Sequence, residues 1–166
     1  HGIIKQFLQQ VAWGELDFLI IDLPPGTGDV VISLVQTVPL TGAIVVSTGS
    51  SVALQDARKA LEMFHQVNVE VLGMVENMSQ MTLPDGSVID VFGAGATEQT
   101  AKQFSINFLG SVDLDPQVRE GGDRGIPASL AGDQSARGRE FAAIAEKVKA
   151  RAEQVAAQSE NVLEIS

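Results

Sequence analysis

The sequence predicts an α/β fold: a mostly parallel sheet with helices on both faces. Short, near-continuous apolar runs alternate along the chain with segments of helical period. The runs lack strict in–out alternation, so each reads as a strand buried on both faces. A polar residue (Asp22, Thr48 or Asn77) follows the end of three runs, and open α/β sheets bind ligands at the carboxyl ends of their strands.

Ile3, Ile4, Phe7, Leu8 and Val11 have helical spacing, and Trp13-Gly14-Glu15-Leu16 breaks that first helix. Phe18-Leu19-Ile20-Ile21 is a continuous apolar run ending in Asp22, the pattern of a doubly buried strand. Pro24-Pro25-Gly26-Thr27-Gly28 is a loop, and Asp29 is placed to N-cap a short helix through Gln36. Ala43 to Val46 forms the second strand, leading through Thr48 to a longer helix with Val52, Ala53, Ala57, Ala60, Leu61 and Phe64 on one face. Val69 to Val75 is the third strand, ending at Glu76-Asn77. A loop with Pro84-Asp85-Gly86 precedes a short strand-like Ser87 to Phe92. Gly93 and Gly95 open a helix from Thr97 to Phe104, and Asn107 to Val112 is the fourth strand. Short helical pieces follow Asp115, and the segment 134–166 is a C-terminal helix and tail with Phe141, Ile144, Val148 and Val155 as its apolar stripe.

The chain has 166 residues, 45% of them hydrophobic, which suits one domain with a buried core. Its net charge of −10 argues against nucleic-acid phosphate and anionic membrane surfaces as partners. Of 11 basic residues only Lys5, Arg58, Lys59 and Lys102 precede position 111. There are no cysteines, which excludes disulfides and thiolate-held metal or iron–sulfur sites within these residues. No apolar run approaches a spanning helix and no signal-peptide pattern opens the chain; an acidic, unstapled domain fits the cytoplasm. The chain opens at His1 inside a helical pattern, so residues 1–166 are expected to be one incomplete domain from a larger gene product.

Asp22-Leu23-Pro24-Pro25-Gly26-Thr27-Gly28-Asp29 is the most informative stretch. An Asp at the end of an apolar strand is the Walker-B arrangement, able to orient a magnesium-bound water. A Gly four residues on can bring a bare backbone N–H to a γ-phosphate, as in a switch loop, and the prolines stiffen the backbone between them. The competing reading is a strand-ending Asp before a tight turn. Asn77 can both donate to and accept from an adenine edge; alternatively it caps a turn before Ser79. No Gly-Lys pair occurs, so the chain contains no P-loop, and Gly93-Ala94-Gly95 reads as a turn before a helix. His1 and His65 have no partners that would make a metal site, Met74, Met78 and Met81 read as core filling, and Ser47, Ser50 and Ser51 have no neighbouring base.

The run from Trp13 to Asp17 into Ile21 to Asp29 resembles the Mrp (ApbC/Nbp-type) family of iron–sulfur cluster carrier ATPases. These are deviant-Walker P-loop NTPases of the MinD/ParA-like class. The resemblance continues through Val52 to Lys59, Gly73 to Ser79, Phe92-Gly93, Phe108 to Gly110, Leu114-Asp115 and Arg119-Glu120, covering residues 1 to 132. It implies an ATP-hydrolysing carrier in which Asp22 serves magnesium through water and Gly26 the γ-phosphate. Asn77 would contact adenine, and Pro24, Thr48 and Asp115 would lie at the nucleotide. It also implies a homodimer closed around ATP and apo iron–sulfur proteins as recipients.

Two departures from the family pattern stand out. Its P-loop strand should precede His1 and lie between the strands ending at Asp22 and Thr48. The sheet is therefore expected to have a gap there, and residues 1–166 alone are expected to bind ATP negligibly. The family's C-P-x-C motif, which from two subunits bridges a four-iron four-sulfur cluster, is replaced by Leu83-Pro84-Asp85-Gly86, with Asp85 and Asp90 as the nearest carboxylates. Asp113 stands where the family often has Pro. The alternative functions are a MinD/ParA-like positioning ATPase, disfavoured by the acidic tail Glu160 to Ser166, and a non-catalytic dimerisation module of the same fold.

Overall fold

The computed structural model describes residues 6–8, 10–24, 26 and 28–163. The elements are α1 (Asp29–Thr37), β1 (Ala43–Ser47), α2 (Ser51–Gln66), β2 (Val71–Asn77), β3 (Met81–Thr82), β4 (Val88–Ile89), α3 (Ala96–Gln103), β5 (Phe108–Val112), α4 (Pro116–Asp123), a 3-10 segment (Ala128–Gln134) and α5 (Ala136–Leu163). Strands β1, β2 and β5 form a parallel sheet in the order β1-β2-β5, while β3 and β4 pair antiparallel as a separate hairpin.

Burial shows how the sheet is covered. Successive side chains of a strand point to opposite faces, so five consecutive buried residues in β2, from Leu72 to Glu76, require cover on both sides. On one side Ala57, Leu61 and Phe64 of α2 and Ala101 of α3 pack with Val45, Val69 and Met74. On the other, α5 lies against β5 and β2, and Ile144 closes over Gly110. Removing a buried side chain such as Leu61 is expected to destabilise by about 2–5 kcal/mol.

Strand β1 is buried on one face only: Val45 and Ser47 are inside, whereas Val46 is 59% exposed. Its outer edge pairs with no strand among the described residues. Here the structure corrects the strand expected at Phe18 to Ile21. Residues 18–24 form no strand, and Ile20 is 87% exposed. The physical reason is the one the sheet order supplies: a parallel strand exists through its ladder, and among the described residues no strand pairs with this segment. Only Leu23 reaches the core, packing against the cluster that contains Val31 and Val45.

The first expected helix falls partly on residues 1–5 and 9, outside the described residues; residues 6–8 are helical, with Gln10 N–H donating to the Gln6 carbonyl at 2.9 Å. The N-cap of α1 is Gly28, not Asp29, and it caps without a side-chain hydrogen bond. The caps of α2 and α4 are side-chain caps: Ser50 accepts from Ala53 N–H and Asp115 from Gln117 N–H. Among the described residues no helix is long and apolar enough to cross a membrane.

Candidate functional site

Because β1, β2 and β5 are parallel, their carboxyl ends lie at one edge of the sheet. That edge carries Thr48 after β1, Asn77 at the end of β2, and Asp113 to Asp115 after β5. Thr48 is half-buried; its hydroxyl donates to Ser50 Oγ at 3.3 Å and accepts from Ser50 N–H at 3.5 Å. Asn77 is exposed, and its Oδ1 accepts from Met78 N–H at 3.0 Å, so part of its side chain also holds the turn that follows. Asp115 is half-buried and accepts from Gln117 N–H at 2.8 Å; the residue expected at the nucleotide is also the cap of α4.

The loops along this edge are fastened to one another. Ser79 N–H donates to the Val112 carbonyl at 3.0 Å and Leu114 N–H to the Gln80 carbonyl at 2.8 Å, tying the loop after Asn77 to the chain that leads to Asp115. The loop after β1 meets the loop before α3 backbone to backbone. A Cβ on Gly49 would lie 1.8 Å from the Gly93 carbonyl oxygen, so both loops require this close approach. At its centre Glu76, 1% exposed, accepts hydrogen bonds from Ser79, Gly95 and Thr97. Burial alone would raise its carboxyl, but the N–H of Gly95, the hydroxyl of Ser79 and the N–H of Thr97 outweigh that and hold it below the usual carboxylate value.

Asp22, Pro24 and Gly26 stand apart from this ladder. Asp22 and Pro24 are exposed in the irregular segment that precedes α1 and belong to no strand. Gly26 has φ +97°, a left-handed conformation that glycine adopts without strain, and its surroundings are open. Pro25 and Thr27 of the same motif lie outside the described residues.

At the carboxyl end of β5 an acidic cluster surrounds one guanidinium. Arg137, whose side chain is 14% exposed, lies 3.2 Å from Asp113 and 2.8 Å from Glu140, with its Nε 4.0 Å from Asp115. That Nε is buried without a hydrogen-bond partner. Glu140 also accepts from Asp113 N–H at 3.2 Å. Burial, with the charges of Asp113 and Asp115, raises its carboxyl above the ordinary value against the opposing pull of Arg137 and that N–H.

The hairpin of β3 and β4 occupies the position of the expected cluster motif. Leu83 is half-buried, and Asp85 accepts from Ser87 N–H at 2.9 Å and Ser87 Oγ at 2.6 Å, which hold its carboxyl low. Asp90 accepts from Gly93 N–H at 2.6 Å and Ala94 N–H at 3.0 Å. Both carboxylates thus serve local turns. No group of three or more His, Cys, Asp or Glu that could hold a metal occurs among the described residues. His65 lies in the last turn of α2, where it lines a cleft of about 420 Å³ with Glu62, Glu70, Phe104, Asn107 and Arg151. That cleft is at the amino ends of β2 and β5, opposite the edge that carries Thr48 and Asn77.

Two features of the edge went unread in the sequence. Glu76 was taken only as the end of a strand, although a carboxylate closing an otherwise apolar run, Val71-Leu72-Gly73-Met74-Val75, is the signal of a buried charge that must find donors. Arg137 has no such signal. Its role depends on a contact across the fold that no local pattern encodes.

Comparison with known proteins bears on what these residues serve. Residues 1–149 match the family described as NUBPL iron-transfer P-loop NTPase. The chain belongs to this family. The family carries the resemblance seen in Asp22 to Asp29 and Gly73 to Ser79 across most of the chain. An iron-sulfur cluster carrier protein of Synechocystis sp. is 47% identical over 150 residues, covering 89% of this chain and 42% of the relative. One from Deinococcus radiodurans is 49% identical over 146 residues, with 87% and 41% covered. One from Pyrococcus furiosus is 47% identical, with 87% and 49% covered. The chain thus spans somewhat under half the length of these relatives. Among solved structures, the nucleotide-binding protein of Archaeoglobus fulgidus in complex with ADP aligns with TM-score 0.67 at 38% identity, covering 75% of this chain and 52% of that one. The Pyrococcus furiosus cell division ATPase MinD aligns with TM-score 0.66 at 22% identity, over 88% and 56%, and supports the P-loop NTPase fold alone.

Proposed function

We propose that this chain supplies the Walker-B, switch and base-side elements of an ATP-binding and ATP-hydrolysing protein of the iron–sulfur carrier family. The observation that carries the reading is the Asp22 to Asp29 octapeptide with Gly26 held at positive φ, in a chain whose relative with a solved structure at 38% identity was seen with ADP. Asp22 would hold magnesium through a water, and the Gly26 N–H, with open surroundings, would meet the γ-phosphate. Asn77 reads the adenine edge, Thr48 and Pro24 flank the nucleotide, and Asp115 completes the base side while capping α4. Magnesium supplies charge neutralisation at the β- and γ-phosphates when bound. The phosphate-cradling lysines belong to segments outside these 166 residues, and the active protein is a homodimer. Apo iron–sulfur proteins would be the recipients, and the setting would be cytoplasmic.

Cluster carriage is the part of the family's work that this segment serves least. The chain contains no cysteine, and Asp85 and Asp90 are engaged in turns. A thiolate-held iron–sulfur cargo therefore finds no ligand within these 166 residues. That absence favours, as a second reading, a nucleotide-driven switch of the MinD/ParA kind that works without a cluster. Steady-state ATP hydrolysis by the full-length protein tests the first reading. Asp22→Asn should lower kcat by roughly a hundredfold or more, the scale of losing a group that positions the reacting water. Equal rates in the two proteins would refute Asp22's role. Anaerobic reconstitution of the full-length protein with iron and sulfide separates the readings: a cluster chromophore supports the carrier, and its absence the switch.

A further inference from the structure

Glu76 presents a physical problem. It is a carboxylate at 1% exposure with no cation within ion-pairing distance among the described residues, and a buried charge is costly unless it is well bonded. Packing alone would be served as well by an apolar side chain. What Glu76 has instead is a full set of donors from separate loops. Its Oε1 accepts from Ser79 Oγ at 2.6 Å and Gly95 N–H at 2.9 Å, and its Oε2 from Thr97 N–H at 2.9 Å. Gly95 and Thr97 lie at the start of α3, where the helix dipole also favours an anion.

Each bond leads to a candidate nucleotide residue. Ser79 closes the turn whose first N–H, that of Met78, is held by Asn77 Oδ1; Met78 itself sits at φ +54°. Ser79 and Gln80 are bonded in turn to Val112 and Leu114, just before Asp115. Thr97 donates its hydroxyl to the Thr48 carbonyl at 3.4 Å, and the adjoining Gly93 backbone touches Gly49. One buried carboxylate thus links the loops that carry Thr48, Asn77 and Asp115.

We propose that Glu76 is a positioning residue of the nucleotide site: by holding Ser79, Gly95 and Thr97 it sets the loops after β1 and β2 in one arrangement and fixes where Asn77 meets the base. The proposal rests on the adenine-nucleotide reading given above. It concerns base selectivity, because Asn77 can distinguish adenine from guanine only while its amide is held at one angle.

The test is Glu76→Gln in the full-length protein, with ATP and GTP affinities measured in parallel by titration. The substitution keeps shape but turns one acceptor oxygen into an NH2 that must face the N–H of Gly95 or Thr97, or the hydroxyl of Ser79. ATP affinity should fall roughly tenfold, the scale of one hydrogen-bonded contact, and GTP affinity should fall less, so the preference for ATP narrows. Leu61→Ala, in the core away from the edge, provides the comparison: it lowers thermal stability and leaves the ATP-to-GTP ratio unchanged. If Glu76→Gln does not fold, Ser79→Ala removes a single bond to the same carboxylate, keeps its charge, and should narrow the ratio in the same direction. A ratio equal to wild type in the folded variant overturns the proposal and leaves the nucleotide reading standing. A wild-type protein that binds neither nucleotide overturns both.

Discussion

Gly49 and Gly26 are both glycines in loops beside the candidate site, yet they answer to different constraints. At Gly49 the constraint is space, since an added Cβ meets the backbone of Gly93, which cannot rotate aside. At Gly26 it is conformation: the surroundings are open and only the positive φ is unfavourable to a side chain. Gly49→Ala should therefore force the two loops apart and lower the melting temperature of the full-length protein strongly. Gly26→Ala should cost only about 1–2 kcal/mol while disturbing the switch loop. Differential scanning calorimetry of the two variants checks the order, and a larger loss at Gly26 would contradict it. Asp115 is the cap of α4, and a second role at the nucleotide is proposed for it. Its side chain accepts from Gln117 N–H at 2.8 Å, whereas its place beside the nucleotide is what the family resemblance implies.

At the scale of elements, the strands and helices that have their neighbours were readable from apolar spacing alone. The helix expected from Val52 to Phe64 is Ser51–Gln66, the strand expected from Asn107 is Phe108–Val112, and the turn at Gly93 to Gly95 opens α3 as expected. The segment Phe18 to Ile21 has as strong an apolar pattern as any of them and forms no strand, because pairing depends on a partner and hydrophobicity does not supply one. That Thr48 and Asn77 share one edge was legible because parallel strands end together, whereas Asp115 came from the family resemblance alone. Glu76 and Arg137 were not, because their roles lie in contacts between distant segments. The junction of β5 with α5 carries its own prediction. Glu140 has a raised carboxyl, so its contribution to stability is fullest below the ordinary carboxylate range and is lost as pH rises through its raised value. Arg137 is the cation that Asp113, Asp115 and Glu140 share. Arg137→Met should accordingly destabilise the protein, and more at about pH 7 than at about pH 4, as Glu140 ionises without it. Thermal melts of wild type and variant at both values measure this, and an equal or smaller loss at the higher pH would refute it.

Among the described residues the molecule is built on a three-stranded parallel sheet that is well covered around β2 and whose outer β1 edge pairs with no strand, with the β3–β4 hairpin beside it. Val46 on β1 and Phe18, Leu19 and Ile20 on the preceding segment present apolar side chains to solvent, in a chain that spans somewhat under half the length of its relatives. A polypeptide of these 166 residues by themselves is expected to bind the dye ANS strongly and ATP negligibly; tight, magnesium-dependent ATP binding by that polypeptide would contradict the assignment of the phosphate-cradling groups to other segments. The central claim is that the carboxyl edge of this sheet, with the Asp22 to Asp29 loop, is one side of an adenine-nucleotide site. A crystal structure of the full-length protein with magnesium and a non-hydrolysable ATP analogue tests it most directly. The base should lie within hydrogen-bonding distance of Asn77, the γ-phosphate at the Gly26 N–H, and a magnesium-bound water at Asp22. A nucleotide bound elsewhere, with these residues facing solvent, would contradict it.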